Sequence, residues 1–138
     1  MLLKKKIPVV LLCMLCVLLT ACSIPKAAEE KPAAYTVTDI EGTEVDFPAP
    51  PKRIVTLSMS TDETMLGLVE PQRMAAVNGL LDDPVSSNVT ALVKGIPQRI
   101  GSPTVEEIMT LQPDLVVVPD WGDLTIVPSL REAGLKVI

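Results

Sequence analysis

The chain has no histidine, and its 138 residues include one tryptophan, one tyrosine and one phenylalanine. Without an imidazole it cannot build the Ser-His or Cys-His pair that activates a nucleophile, and it lacks a usual nitrogen ligand of zinc. The glycine patterns G-x-G-x-x-G and G-x-x-x-x-G-K-[ST], which bind nucleotides, and the nucleophile pattern G-x-S-x-G are also missing. These absences argue against an enzyme.

Pairs of neighbouring carboxylates remain as candidates for acid–base chemistry. The pairs are Glu106 with Glu107, Asp82 with Asp83, and Asp120 with Asp123. Each pair is explained more simply as solvated surface charge or as helix-start acids that the helix dipole favours. A membrane-tethered hydrolase would need an acid–base pair that the sequence does not supply, so we predict no catalytic residue, no metal ligand and no cofactor.

The N-terminus has the order of zones found in a secretory signal. Lysines at positions 4–6 precede an apolar run at residues 7–19, which is shorter than the roughly 20 residues that span a bilayer core. Residues 19–22 read LTAC and resemble a bacterial lipobox. The resemblance implies a signal peptide at residues 1–21 and lipidation of Cys22 as the first mature residue, with an uncleaved anchor as the alternative.

Removal of residues 1–21 changes the cysteine content and the charge. Cys13 and Cys16 leave, so the mature chain keeps Cys22 alone and forms no internal disulfide. Three lysines leave as well, and nine basic residues against 17 acidic ones give a net charge of about −8. Such an acidic protein is a poor partner for nucleic acid. We expect a lipoprotein of the cell membrane, held on its extracytoplasmic side (periplasmic or outer surface).

The rest of the chain predicts one α/β domain behind a linker. Residues 22–34 are polar and rich in alanine, proline, glutamate and lysine, as in a flexible spacer. Residues 35–47 alternate in period two around Gly42, which indicates a β-hairpin. Beyond them, short apolar strands alternate with helical segments. The predicted fold class is therefore α/β, a Rossmann-like parallel sheet with covering helices, preceded by a β-hairpin and a signal helix.

Individual elements follow from periodicity and capping signals. Strands are predicted at residues 53–57, 74–77, 114–118 and 135–138, and helices at 61–69, 84–94 and 104–112, with the end of another helix at 129–134. Thr61 or Asp62 is the expected cap of the first helix, and Thr104 with Glu107 forms a capping box. The last strand has no covering helix after it, so we expect a domain that is cut short.

Five stretches resemble, in family order, the substrate-binding proteins of iron-siderophore, haem and cobalamin ABC importers. They read PKRIVTL at residues 51–57, TDETMLGL at 61–68, RMAAVNG at 73–79, RIGSPTVEEIMTLQPDLVVV at 99–118 and LREAGLKVI at 130–138. The resemblance implies two α/β lobes joined by one long helix, with the ligand between them. Residues 35–138 would be the N-terminal lobe, and we expect the C-lobe to be missing from this chain.

The resemblance also implies how such a lobe would meet its membrane partner. In that family an exposed glutamate on each lobe docks on arginines of the ABC permease subunits. Alignment on Pro113-Asp114 selects Glu106 for this role, with a plain helix-start acid as the alternative. Glu107 is better explained as the capping-box partner, and Glu63 as an acid with a local structural role.

Ligand contacts are expected in the loops after the strand C-termini, which would line the cleft. The candidates for ligand binding are Met59, Ser60, Thr61, Asn78, Asp120 and Trp121. Trp121 offers the one large planar surface and can pack on a porphyrin, corrin or catecholate ring, or it can instead close the end of the sheet. Arg99 could meet an anionic siderophore, with surface solvation as the alternative.

Two functions therefore compete at the level of sequence. The first is a lipoprotein that captures an iron-siderophore, haem or cobalamin and delivers it to the permease. The second is a truncated or split-gene half-domain that acts as a tethered interaction module without transport. With half of the cleft absent we expect weak ligand binding, because two lobes share the desolvated contacts.

Overall fold

The structure is a computed structural model that describes residues 33–138. The predicted signal peptide at residues 1–21, the predicted lipidation site Cys22 and residues 22–32 of the predicted spacer lie outside the described residues. Between residues 33 and 138, none of the helices has the length and apolar character needed to cross a bilayer.

The predicted β-hairpin is confirmed. Strand β1 (Tyr35–Thr38) pairs antiparallel with strand β2 (Glu44–Phe47), and Tyr35 lies opposite Phe47. The two rings stack with their centroids 5.3 Å apart. Gly42 has a φ angle of 84° in the turn, a conformation that glycine adopts without steric cost.

The remaining elements alternate strand and helix as the sequence predicts. In chain order they are β3 (Ile54–Thr56), α1 (Met59–Leu68), β4 (Val77–Asn78), α2 (Thr90–Val93), β5 (Arg99–Ile100), α3 (Val105–Thr110), β6 (Leu115–Val117) and α4 (Ile126–Glu132). Short 3-10 turns occupy Pro71–Arg73 and Gly79–Asp82.

The strands pair in parallel. Strand β3 pairs with β6, and β4 pairs with β5. Single parallel bridges join Ile54 to Met74 and Val116 to Val137. The segment at residues 74–78 thus connects the two pairs, and the order of neighbours is β5, β4, β3, β6 and then Val137. Chain order reverses between β3 and β6, as in a doubly wound Rossmann-like sheet.

Two apolar clusters show that helices cover both faces of β6. Leu115 belongs to a cluster that contains Leu66 of α1 and Val93 of α2. Its neighbour Val116 belongs to a second cluster, with Ile108 of α3. Successive strand residues point to opposite faces, so β6 has an apolar run because both of its faces are buried.

Hydrogen bonds at the amino end of this strand pair join the PKR and QPD stretches. The Asp114 carboxylate accepts from the backbone N–H of Lys52 at 2.7 Å and from that of Arg53 at 2.8 Å. The Arg53 guanidinium donates to the carbonyl oxygen of Leu111 at 2.6 Å, where α3 ends. Both stretches carry the family resemblance, and their side chains hold the start of β3 beside the start of β6.

Several predicted boundaries are wrong. The first helix begins at Met59, and its cap is Ser58, whose hydroxyl accepts from the N–H of Thr61 at 3.1 Å, not Thr61 or Asp62. The predicted helix at residues 84–94 is reduced to α2. Asp83 accepts from the N–H of Val85 and from the hydroxyl of Ser86, at 2.9 and 2.8 Å, and this local turn replaces the helix. The strands predicted at residues 74–77 and 135–138 are reduced to β4 and to the bridge at Val137.

Candidate functional site

A crevice opens where β3 and β6 end. Their pairing continues to the carboxyl ends, because the N–H of Leu57 donates to the carbonyl oxygen of Val117 at 3.0 Å. Beyond this point the chain turns into α1 after β3 and into a loop before α4 after β6. In open α/β sheets, ligands bind outside the carboxyl ends of the strands at the place where strand order reverses.

The crevice holds a cavity of about 220 Å³. Three loops that follow strands form its wall. The lining residues are Leu57, Gly101, Ser102, Pro103, Val118, Pro119, Trp121, Gly122, Asp123 and Ile126. A neighbouring depression of about 300 Å³ shares residues 101–103 and is lined by Arg99 and Glu107.

Trp121 stands on a tight turn at the rim of the cavity. The N–H of Gly122 donates to the carbonyl oxygen of Pro119 at 2.9 Å, which places Asp120 and Trp121 at the centre of the turn. A Cβ on residue 122 would lie 3.1 Å from that oxygen, so the turn favours glycine there. The Trp121 side chain is 69% exposed. It is therefore presented to solvent and does not close the end of the sheet.

Asp123 fixes the loop that follows. Its carboxylate accepts from the N–H of Thr125 at 3.0 Å and from the Thr125 hydroxyl at 2.5 Å. These hydrogen bonds lower the pKa of Asp123, with that to the hydroxyl contributing most. The group stays ionised at neutral pH, and it is the one charged side chain in the cavity wall.

Other predicted ligand contacts lie outside the cavity wall. Trp121 lines the cavity, whereas Met59, Ser60, Thr61, Asn78 and Asp120 do not. The first three occupy the opening turn of α1, where Met59 packs partly against the core. The Asn78 side chain accepts from the N–H of Leu80 at 2.9 Å and caps a 3-10 turn. Their roles in binding stay predictions.

The sequence reasoning missed the loop at residues 101–103. This stretch reads GSP directly after the short strand β5, and it supplies three residues of the cavity wall. A loop after a strand was the available signal, but β5 has two residues and no distinctive apolar run.

Buried Asp62 is a second feature that the sequence reasoning missed. The side chain is 0% exposed and accepts hydrogen bonds from the Thr56 hydroxyl at the end of β3 and, at 2.7 Å, from the N–H of Asn78. Asp62 thus joins α1 to the carboxyl ends of β3 and β4. Burial raises its pKa to about 6, and the neighbouring charge of Glu63 adds to the increase.

The Arg99 side chain binds other groups within the domain. Its guanidinium binds both oxygens of Asp82, at 2.7 and 2.8 Å, and donates to the carbonyl oxygens of Val93 and Ile96 at 3.0 and 2.7 Å. The pairing lowers the pKa of Asp82. The sequence analysis considered an anionic ligand or solvent as the partner of Arg99, and it did not predict these internal partners.

Glu106 is exposed in the first turn of α3. Its carboxylate forms no hydrogen bond or ion pair with residues 33–138. The predicted capping box beside it is confirmed, because Glu107 accepts from the N–H of Thr104 at 2.8 Å and the Thr104 hydroxyl accepts from the N–H of Glu107 at 3.2 Å. Glu63 accepts from the Ser87 hydroxyl at 2.7 Å, a structural contact between residues 24 apart in the chain and not the local one predicted for it.

Within residues 33–138, no group of three or more cysteine, histidine, aspartate or glutamate side chains has a geometry that could hold a metal ion. The cavity wall combines apolar carbons, one aromatic face and few polar groups. Such a surface can pack on a small molecule and orient it.

Known proteins resemble this chain in sequence and in fold. A cobalamin-binding protein of Halobacterium salinarum is 31% identical over 118 residues, which are 85% of this chain and 29% of that protein. The molybdate-bound periplasmic binding protein MolA of the Haemophilus influenzae ABC transporter superposes with a TM-score of 0.61 at 16% identity, over 75% of this chain and 33% of MolA. An ABC-type Fe3+-hydroxamate transport system structure from Saccharomonospora viridis has a TM-score of 0.50 at 25% identity, over 75% of this chain and 38% of that structure. No family model matches the sequence.

The fold and these comparisons define the class, a lobe of the periplasmic binding protein fold. The chain is homologous to part of a cobalamin-binding protein, and this partial coverage fits an N-terminal lobe. It spans about a third of the length of the relatives it matches.

The raised pKa of Asp62 predicts an unusual pH dependence of stability. Folding favours the protonated acid, so the contribution of Asp62 is complete below about pH 4 and is lost as pH rises through about 6. This change in pKa corresponds to roughly 3 kcal/mol of the free energy of unfolding. We expect Asp62→Asn to remove this part of the pH dependence in urea unfolding measured from about pH 4 to 7. Asn can keep both hydrogen bonds, because the Thr56 hydroxyl can accept as well as donate.

The control for this prediction is Glu132→Gln, which neutralises an exposed carboxylate on α4. It should leave the pH profile of the wild type unchanged. An Asp62→Asn profile that parallels the wild type between about pH 4 and 7 would contradict the assignment.

Proposed function

We propose that this chain is the N-terminal, ligand-binding lobe of a substrate-binding lipoprotein of an ABC importer. Its cargo class is a corrinoid or an iron chelate, namely cobalamin, an iron-siderophore or haem. The observation that carries the proposal is the exposed Trp121 face at a cavity in the sheet crevice. The cobalamin-binding relative and the Fe3+-hydroxamate neighbour support this cargo class.

The size of the cavity supports a shared cleft. Drug-sized ligands occupy sites of roughly 300–1,000 Å³ that cover most of their surface. The cavity of about 220 Å³ is smaller and opens outward beside the Trp121 side chain. One lobe would therefore cover one face of a flat ligand, and a second lobe would cover the other. Binding by this chain alone is expected to be weak for the same reason.

The proposed capture and delivery of the ligand require no covalent step. A planar ligand displaces water from the Trp121 face and the apolar wall, and burial of this surface favours binding. Glu106 then contributes a surface carboxylate to docking on the permease. Charge pairing of this kind increases the association rate and fixes orientation more than it increases affinity.

The first prediction concerns ligand contact. Trp121→Ala should abolish measurable binding of cyanocobalamin and of a ferric trihydroxamate in equilibrium dialysis at millimolar ligand, because the variant removes the planar surface. Leu68→Ala is the matched control, since Leu68 is 74% exposed on α1 and lies outside the cavity wall. Equal binding by the wild type and Trp121→Ala, or none by the wild type, would count against the proposed function.

The second prediction concerns delivery. In cells that express the chain from its own gene, Glu106→Ala should slow uptake of labelled ligand and leave its equilibrium affinity unchanged. Glu132→Ala, which also removes an exposed helical glutamate, should change neither quantity. A parallel loss of affinity in Glu106→Ala would place Glu106 in the ligand cleft instead of on the docking face.

The third prediction concerns the membrane. Cys22→Ala should abolish incorporation of labelled palmitate into the protein, because the proposed lipobox attaches the lipid to that cysteine. Cys13→Ala is the control, since it lies within the predicted signal peptide. Unchanged palmitate labelling of the Cys22 variant would contradict the lipoprotein assignment.

A further inference from the structure

The charges around the cavity restrict the ligands it can take. Its wall contains one charged side chain, Asp123, and no lysine or arginine. Asp120 adds a second exposed carboxylate on the turn that carries Trp121. An anionic ligand at this place would meet negative charge from the loop and no compensating cation from the wall.

The lysines and arginines of residues 33–138 either bind other groups of the domain or lie outside the cavity wall. Arg99 lines the neighbouring depression and not the cavity, and its guanidinium is bound to Asp82 and to backbone carbonyls. Arg131 pairs with Asp39 and, at 3.4 Å, with Glu41 on the hairpin turn. The remaining cations are Lys52, Arg53, Arg73, Lys94 and Lys136, and none of them lines the cavity.

The N-termini of the helices near the crevice already have partners within the chain. A helix N-terminus can bind an anion through its free N–H groups. Here α1 is capped by Ser58 and carries Asp62 in its first turn, and α3 has its capping box. The N–H of Thr125, just before α4, already donates to Asp123. The positive ends of these helices are thus partly neutralised by carboxylates of the chain itself.

We propose that the cavity selects a ligand with an apolar, planar or ring-shaped face and a neutral or positive net charge, and disfavours strongly anionic chelates. A corrinoid or a metal trihydroxamate fits this description, whereas a metal tris-catecholate does not. The proposal rests on the proposed function and narrows its ligand class. The carboxylate of Asp123 in the cavity wall and that of Asp120 on the same loop carry it.

The test uses the indole N–H resonance of the purified chain, which has one tryptophan, Trp121. The probes are cyanocobalamin, a gallium trihydroxamate and a gallium tris-catecholate, all diamagnetic, added to millimolar concentration. The first two should shift the resonance, and the tris-catecholate should bind more weakly or not at all. Added salt should strengthen tris-catecholate binding, because it screens the repulsion.

A charge-reversing variant sharpens the comparison. Asp120→Lys alters an exposed side chain with no hydrogen bond among residues 33–138, and it should tighten tris-catecholate binding about five-fold relative to cyanocobalamin. Glu44→Lys makes the same charge change on the hairpin, which contributes nothing to the cavity wall, and should leave the ratio unchanged.

The outcomes separate the inference from the function on which it rests. Tris-catecholate binding to the wild type as tight as that of the neutral probes overturns the charge inference and leaves the proposed function standing. An equal ratio in Asp120→Lys and Glu44→Lys also overturns it. If none of the three probes moves the Trp121 resonance, the proposed function fails and the inference fails with it.

Discussion

The parallel pairing of β3 with β6 is the constraint on which the rest of this domain depends. The two strands are about 60 residues apart in sequence, so their contact carries a substantial loop-closure entropy cost. Asp114 offsets part of it, because its carboxylate holds two backbone N–H groups before β3. Hydrogen bonds to a charged acceptor are among the stronger ones in proteins. With the amino ends fixed, the carboxyl ends of both strands stop together and leave the crevice between the chain segments that follow.

Asp62 fixes the carboxyl ends of the strands, as Asp114 fixes their amino ends, but its burial costs stability. It joins α1 to the ends of β3 and β4 through Thr56 and Asn78. Burial disfavours the charged form of its carboxyl group. The contribution of Asp62 to the stability of the fold is therefore smaller at neutral pH than at low pH. An apolar residue would avoid this cost but would leave the N–H of Asn78 without its partner. We infer that the loops around the crevice are positioned at the expense of stability.

Local signals explain which parts of this fold the sequence predicts well. The hairpin around Gly42, the capping box of Thr104 and Glu107, and the apolar strand at Leu115–Val117 each depend on residues close together in the chain. The helix expected at residues 84–94 fails because Asp83 forms a local turn that competes with it. Of the residues predicted to contact the ligand, Trp121 alone lines the cavity, and its role in binding stays a prediction. Contacts between segments distant in sequence cannot be predicted from hydrophobic periodicity. Such contacts determine the position of the 101–103 loop, the partners of Asp62 and the Arg99–Asp82 pair.

The comparison with MolA separates what the fold determines from what the loops determine. MolA is bound to molybdate, an anion, and its fold superposes on this chain at 16% identity. A shared fold therefore does not fix the charge around a binding site. In this chain the arginines near the crevice have internal partners, and carboxylates stand on the exposed loop. Moving a cation to the cavity would require breaking a pair such as Arg99–Asp82, which would leave Asp82 uncompensated and remove the guanidinium from the carbonyl oxygens of Val93 and Ile96. The preference against anions is thus linked to the packing of the domain, because the arginines near the crevice are held by internal partners.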